Sequence, residues 1–442
     1  MAARSGYRHD MDKKRLEVAR LYHRFGFGPR PGEFAKSLAD GVALTREKLL
    51  TVPTIDAGLS AIPEPPITDL GPRPKPNTPE VVPFAIGIRN QSEKLFLWWL
   101  DRMVLGDHGL TERMTWFWHG HWATSISKVN HSLPMYKQNS TFRKNALGDF
   151  NQLAQEMLLD GALQYWLDGQ DSTVKSPNEN LSRELMELFT LGVNRYTEDD
   201  VKALARILTG YQVVNSSGTV KFNPKRHDSS AVTLLGTTKS FTGESVIDFL
   251  VARQDCQKFI SERLWYRFIS SSNPMPANFS AVAAFSSRDI SSAVKAMAGD
   301  QSMQDPKFAQ VKSPVEWFAS VCRALELTPS QLTTTKQLNN YLSKLGQIPF
   351  SPPNVGGWPA DEAWLSSASA QYRIAFATWL VKQSSLRGLL EFPESRRLVD
   401  SANWLGVAEW STRTQLALRN SLSNPREFAI LALCSPEYVV SA

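Results

Sequence analysis

Apolar positions recur at helical spacing along most of the 442-residue chain. Leu16, Ala19, Arg20 and His23 predict a first helix beginning near Met11. It ends where Arg24-Phe25-Gly26-Phe27-Gly28-Pro29-Arg30-Pro31 demands a turn. Short helices over 32–40 and 45–50 complete an N-terminal helical segment, residues 1–61. Between Ile62 and Pro83, eight prolines fall in 22 residues. That density opposes helix and favours an extended strap or linker over 62–90, a strap across the surface being preferred.

A main helical domain is expected over 91–442. Leu95 to Leu100 is apolar nearly all round and predicts a buried helix. Thr111 is its successor's expected N-cap, with Glu112 at the positive end of that helix. Further helices are expected over 148–157 and 162–166. Ser176-Pro177-Asn178-Glu179 reads as a capping box, with Pro177 at the first helical position of a helix running to Leu191 and stopped by Gly192. Thr197 opens the next helix, which ends near Gly210. Tyr211–Val214 and Thr219–Phe222 then alternate as a hairpin over Asn215-Ser216-Ser217-Gly218, with a further strand near Thr233–Leu235. No other β region is expected. After Ser245 the helical pattern returns, broken by the Pro/Gly-rich loop Pro349–Pro359. The fold class is mainly α: a multi-helix bundle-like domain with a small β-hairpin insertion near residues 211–240, packed with the N-terminal segment as one unit.

Composition removes several function classes. Net charge is +6, from 49 Lys and Arg against 43 Asp and Glu, and the basic residues are dispersed. Nucleic acid is therefore not an expected partner. Cys256, Cys322 and Cys434 form neither a disulfide framework nor a Cys-x-x-Cys metal pair. The longest apolar runs fall far short of the roughly 20 residues that span a bilayer. The charged opening stretch lacks the apolar segment of an export signal, so the expected compartment is the cytoplasm. There is no nucleotide-cofactor motif: Gly26-Phe27-Gly28 follows a helix rather than a strand and lacks the third glycine.

Four stretches carry a family resemblance. They are Arg24 to Pro29; Phe117-Trp118-His119-Gly120-His121-Trp122-Ala123-Thr124-Ser125; Asn178 to Gly192, continuing through Tyr196–Val201 and Leu208-Thr209-Gly210-Tyr211; and Gly346-Gln347-Ile348-Pro349-Phe350-Ser351-Pro352-Pro353-Asn354-Val355-Gly356-Gly357-Trp358-Pro359. Together, and in this order, they resemble the domain-of-unknown-function 1800 family. The resemblance implies a predominantly helical bacterial protein and supplies no reaction. Two positions depart from the family pattern: Gly120 stands where many relatives have Asn, and Phe189 where many have His. Many relatives also look exported, unlike this chain.

The candidate chemistry centres on His119 and His121. Imidazole is a common ligand of first-row metals. On a continuous helix, residues two apart diverge by about 200°, whereas on an extended segment they share a face. Gly120 would allow a break there. A structural account makes both histidines members of a Trp-rich core around Trp116, Trp118 and Trp122. Downstream, Asn180, Glu184 and Glu187 share one helix face, and paired carboxylates can ligate a metal or divide acid and base roles. The structural account is an ion-paired ladder of Glu179, Arg183 and Glu187, which leaves Glu184 with the least structural reason to be there. His227 and Asp228 lie in the loop after the hairpin, and His131 is a weaker spare ligand.

The leading expectation is a metal-dependent enzyme, hydrolytic or oxidative. A divalent first-row transition metal would be held by His119, His121, Glu184, His227 and Asp228. Glu184, Glu187 and Arg183 would serve catalysis, and Asn180, Asn354 and Trp358 would contact substrate. The alternative is a non-catalytic helical scaffold or partner-binding protein, acting on an unknown small molecule or protein, in which the same motifs are structural.

Overall fold

The computed structural model describes residues 12–53 and 62–441. The predicted helix start at Met11, the residues before it, and the junction 54–61 lie outside them. The protein is 61% helical with only two-stranded antiparallel sheets, which is the expected class.

The N-terminal segment holds α1 (Lys13–Arg24), α2 (Glu33–Asp40) and α3 (Val42–Leu50). The Asp12 side chain caps α1 by accepting from the backbone N–H of Lys14 and Arg15. The face predicted to be apolar is buried, but two of its residues are polar and anchor other parts of the chain. Arg20 donates to the carbonyls of Ser302, Met303 and Asp305 at 2.9–3.2 Å. His23 Nε2 donates to the Leu405 carbonyl at 3.0 Å. The Gly26–Gly28 turn is forced by space. Gly28 has φ +83°, and a Cβ there would lie 2.7 Å from Ser320 Oγ.

The proline-rich segment is extended, as expected, from Ile62 to about residue 80. Gln91 ties it down by donating to Thr68 at 3.0 Å. The long helix α4 (Val81–Leu105), however, begins ten residues earlier than the sequence pattern suggested. Pro83 sits in its first turn, where backbone N–H groups have no intrahelical partner, so proline costs no hydrogen bond there. α5 (Gly109–His121) also starts early, with His108 rather than Thr111 at its N-cap.

α6 (Ser132–Lys144) follows. The predicted capping box at Ser176 is displaced: the Asn178 side chain caps α7 (Glu179–Glu184) by accepting from the Asn180 N–H at 2.7 Å. Instead of continuing to Leu191, α7 widens into a π-helical turn over Leu185–Thr190. Thr190 Oγ1 donates back to the Leu185 carbonyl, and the N–H groups of Leu191 and Gly192 both reach the Met186 carbonyl. α8 (Glu198–Ile207) opens with a reciprocal capping box between Thr197 and Asp200.

The hairpin β1 (Tyr211–Val214) and β2 (Thr219–Phe222) forms as read, with Tyr211 opposite Phe222. β3 (Val232–Leu234) pairs with β4 (Thr237–Lys239). A third pair was not anticipated. β5 (Gln310–Val311) joins β6 (Val440–Ser441), strands too short to leave a periodic signal.

α5 lies between two cores. Its Met114, Phe117 and Trp118 pack with α9 (Gln254–Phe268) and the helices around it. Its Trp116 packs on Trp99 of α4 and belongs to a second core that includes Trp317 and Phe318 of α10 (Pro314–Leu325) and Phe428 near the C-terminus. A helix with core on both sides must bury its charged residues too. Glu112, 3% exposed, accepts from Trp99 Nε1 at 3.0 Å, Arg102 Nε at 2.8 Å and Arg143 at 2.9 Å. Burial alone would raise its pKa. The two guanidinium groups outweigh that and hold it at about 2.

Candidate functional site

The motif residues converge on α5, but not as a shared metal site. The helix runs unbroken through Gly120, and the Trp122 N–H still reaches the Trp118 carbonyl at 2.8 Å. His119 and His121 therefore leave the helix in different directions. The Phe350 N–H donates to His119 Nε2 at 3.1 Å, so that nitrogen carries the lone pair. Its ring sits among Trp99, Phe350 and Trp358 at 5.0–5.4 Å. His121 Nε2 instead donates to the Phe189 carbonyl at 3.0 Å, which makes its Nδ1 the lone-pair atom. That Nδ1 is buried and has no hydrogen-bond partner. Burial pushes both histidines down to about 3, and Arg263 and Arg267 depress His121 further, so both rings are neutral.

This geometry links three of the motifs. The π turn ends α7 with an orphan carbonyl at Phe189, and His121 satisfies it. His119 orients the Pro/Gly-rich loop through Phe350. Trp358 of that loop stacks on Trp116 at 5.1 Å. Gly357, at φ +81°, approaches so closely that a Cβ would stand 2.4 Å from the Gly120 carbonyl oxygen. The first motif joins through Arg113, whose Nε donates to the Arg24 carbonyl at 2.9 Å. Arg24 in turn donates to the Phe268 and Ile269 carbonyls, placing a cation at the C-terminal end of α9.

The remaining predicted residues are dispersed. Arg183 is engaged by Glu198 through two bonds of 2.7 Å, with Glu179 at 3.8 Å. Glu187 accepts from the Tyr196 hydroxyl. Asn180 Nδ2 reaches only the Leu167 carbonyl, at 3.4 Å. His227 Nδ1 donates to the Thr209 carbonyl at 3.0 Å, and its ring meets Phe222 edge-on. Asp228 is held by Arg206 at 2.7 Å and by Ser230, and these bonds lower it to about 2. Asn354 is exposed; its side chain accepts from the Gly356 N–H at 2.9 Å and closes its own turn rather than facing a ligand. Glu184 differs from all of these. It is half-buried, makes no hydrogen bond among the described residues, and is raised by burial and then by Glu187. Among the described residues, no three His, Cys, Asp or Glu side chains come together as a metal-holding group. The charges acting on His121 are arginines, not the carboxylates expected beside it.

The space enclosed by the motifs is small. A cavity of about 30 Å³ lies beside Gly120, lined by Arg113, Phe117, Arg267, Glu316 and Trp358. A single water needs roughly 10–15 Å³, so this space accepts two or three waters at most and no organic substrate.

The family described as "Protein of unknown function (DUF1800)" matches residues 20–440, nearly the whole chain. The chain belongs to this family. No curated protein and no solved structure matches it. As a DUF1800 member the protein carries all four motif stretches in one interlocked cluster, with Gly120 and Phe189 both at its contacts. Phe189 uses its backbone carbonyl there, and its ring packs on Trp122 at 4.5 Å.

A larger cavity, of about 520 Å³, lies away from the motifs. It is bounded by the proline strap, the first half of α4, the turn before α6 and the end of β1. His131 lines it, as do Arg73, Tyr165 and Asn215. Of these only His131 drew attention in the sequence, as a spare ligand. The signal that could have found the site was the apolar run Val81–Ile88 next to the strap, a helix face with no core pattern behind it. Among the described residues, no helix is long and apolar enough to cross a membrane.

Proposed function

We propose that this DUF1800 protein is a non-catalytic helical scaffold that binds a partner molecule, and that its family motifs serve the fold. The observation that carries this reading is the opposed commitment of the two motif histidines. One accepts from a backbone N–H, the other donates to a backbone carbonyl, and each ties a different element to α5. Two neutral, diverging imidazoles, each with one nitrogen committed to the backbone, fit a structural role, although His121 Nδ1 is left without a partner among the described residues. The three cysteines are free thiols, which favours a reducing, cytoplasmic setting.

Elemental analysis of the purified protein and of His121→Ala tests this. The expected result is no stoichiometric transition metal in either, together with reduced stability of the variant. Near-stoichiometric zinc, iron, manganese or copper that disappears in a well-folded His121→Ala protein would overturn it.

A second reading, metal-dependent or proton-transfer chemistry, is favoured by Glu184. It is the one predicted carboxylate without a hydrogen-bond partner among the described residues. It predicts that Glu184→Gln removes a turnover or a metal site while stability is unchanged.

A further inference from the structure

The cavity beneath the proline strap has the anatomy of a small-molecule site. Its volume of about 520 Å³ falls within the roughly 300–1,000 Å³ typical of ligand pockets. Its walls are largely apolar and partly rigid: the rings of Pro72 and Pro74 in the strap, Phe84 and Ile88 of α4, and Tyr165. The adjoining surface of α4 stays apolar, with Val82 65% and Ile86 45% exposed. An apolar run left facing outward on a helix marks a place where something binds.

Polar groups without partners lie within this apolar frame. His131 is 5% exposed and makes no hydrogen bond among the described residues; its ring meets Phe84 edge-on at 5.7 Å, and Asp69 acts on it electrostatically. Asn215 donates to the Val129 carbonyl at 3.1 Å, but its amide oxygen is buried and unpartnered. Buried polar groups are nearly always satisfied, so the orphan Asn215 oxygen calls for a donor from water or a ligand, and the His131 ring adds a polar contact beside it. The charge on the lining is positive, although Asp69 acts on His131 from outside it. Arg73 lines the cavity from the strap and has neither ion pair nor hydrogen bond among the described residues, and no acidic side chain lines it. A free guanidinium fork matches a carboxylate, and a neutral imidazole can donate its one N–H to the same group.

We infer that this cavity binds an organic carboxylate with an apolar body, the carboxylate meeting Arg73 and His131 and the body lying between the proline rings, Phe84 and Tyr165. This rests on the binding reading above and names its site and ligand class. A fatty acid and an aromatic acid share this chemistry.

Calorimetric titration of the full chain with octanoate and with 3-phenylpropionate separates the two sources. 1-Octanol and 3-phenylpropan-1-ol serve as neutral counterparts. The expected result is saturable single-site binding of one carboxylate, with its alcohol weaker by at least about tenfold, as loss of a charge-assisted bond entails. Arg73→Gln and His131→Phe should each weaken the carboxylate by about tenfold or more. Ala85→Trp, at an exposed helix position that lines the cavity, should abolish binding by filling it. Thermal unfolding of each variant confirms that it folds. Absence of saturable binding by both carboxylates, equal affinity for acid and alcohol, or unchanged affinity in all three variants would each overturn the inference. Such a failure leaves the structural role of the motif histidines standing. A metal lost on His121→Ala would overturn the binding reading whatever the cavity does.

Discussion

The α5 cluster and the strap cavity treat the same side chain in opposite ways. His119 and His121, the most conspicuous residues in the sequence, are buried with a backbone partner each. His131, one histidine among seven, has no backbone partner among the described residues. A fold that satisfies a polar group has used it. A polar group left without a protein partner at an open cavity is available to a ligand. Unusual sequence therefore marks the cluster where elements lock together, while the cavity is lined by a histidine with no backbone partner among the described residues.

The comparison breaks most visibly at Glu112. Glu112→Gln leaves the buried Arg102 and the part-buried Arg143 without their carboxylate, and loss of one partner of a buried ion network costs about 3–5 kcal/mol. Urea unfolding should show that loss. A change under 1 kcal/mol would mean that the charges of the cluster are not coupled as drawn. His121→Ala comes next. It removes a ring packed among Phe117, Trp118 and Trp122 and leaves the Phe189 carbonyl orphaned. A loss of about 2–4 kcal/mol is expected for a buried large-to-small change with a broken hydrogen bond.

Acid sharpens the same contrast. The folded-state pKa values of His119 and His121 lie at about 3, below the ordinary 6.5, so the unfolded chain binds their protons first. Their contribution is complete above pH 6.5 and is lost as pH falls toward 3, at about 1.4 kcal/mol per pH unit for each ring. Glu112, lowered from 4.5 to about 2, adds a second loss as pH falls from 4.5 toward 2. Unfolding free energy measured from pH 7.5 to 4 should decline from about 6.5 downward, and less steeply in His121→Ala. A flat profile over that range would show that the rings are not buried neutral.

Much of the architecture was legible because it is local. The π turn was not, because its residues read as an ordinary helix; only the tertiary demand of His121 on the Phe189 carbonyl distinguishes it. The early start of α4 was hidden by Pro83, whose effect depends on whether it falls in a first turn or an interior. β5 and β6 pair across the chain and leave no periodic trace. At the site, the sequence picked out His119, His121 and Glu184 by residue type and spacing, but hydrogen-bond partners are not written in spacing. Glu187, Arg183, His227 and Asp228 all proved to have ordinary partners. Arg73, Asn215 and Tyr165 carry no motif, and only the folded arrangement of strap, helix and hairpin brings them to one cavity.

The smallest effect is the one that separates the two regions most cleanly. His131→Phe keeps the ring volume and the edge contact with Phe84 while deleting two nitrogens that bond to nothing in the described fold. Replacing a ring that has no hydrogen-bond partner in the described fold by an apolar one of similar shape is close to neutral, so stability should change by less than about 1 kcal/mol in either direction. The matching change in the α5 cluster, His119→Phe, removes the acceptor of the Phe350 N–H and should cost more, about 1–3 kcal/mol, because that donor is then stranded in the core. Measured side by side by urea unfolding at pH 7.5, the pair asks whether the two histidines differ as their partners do. Equal losses would mean that His131 holds the fold together as His119 does, and that the cavity is a by-product of packing. A loss confined to His119→Phe assigns the first histidine to the fold and leaves the second free for a ligand.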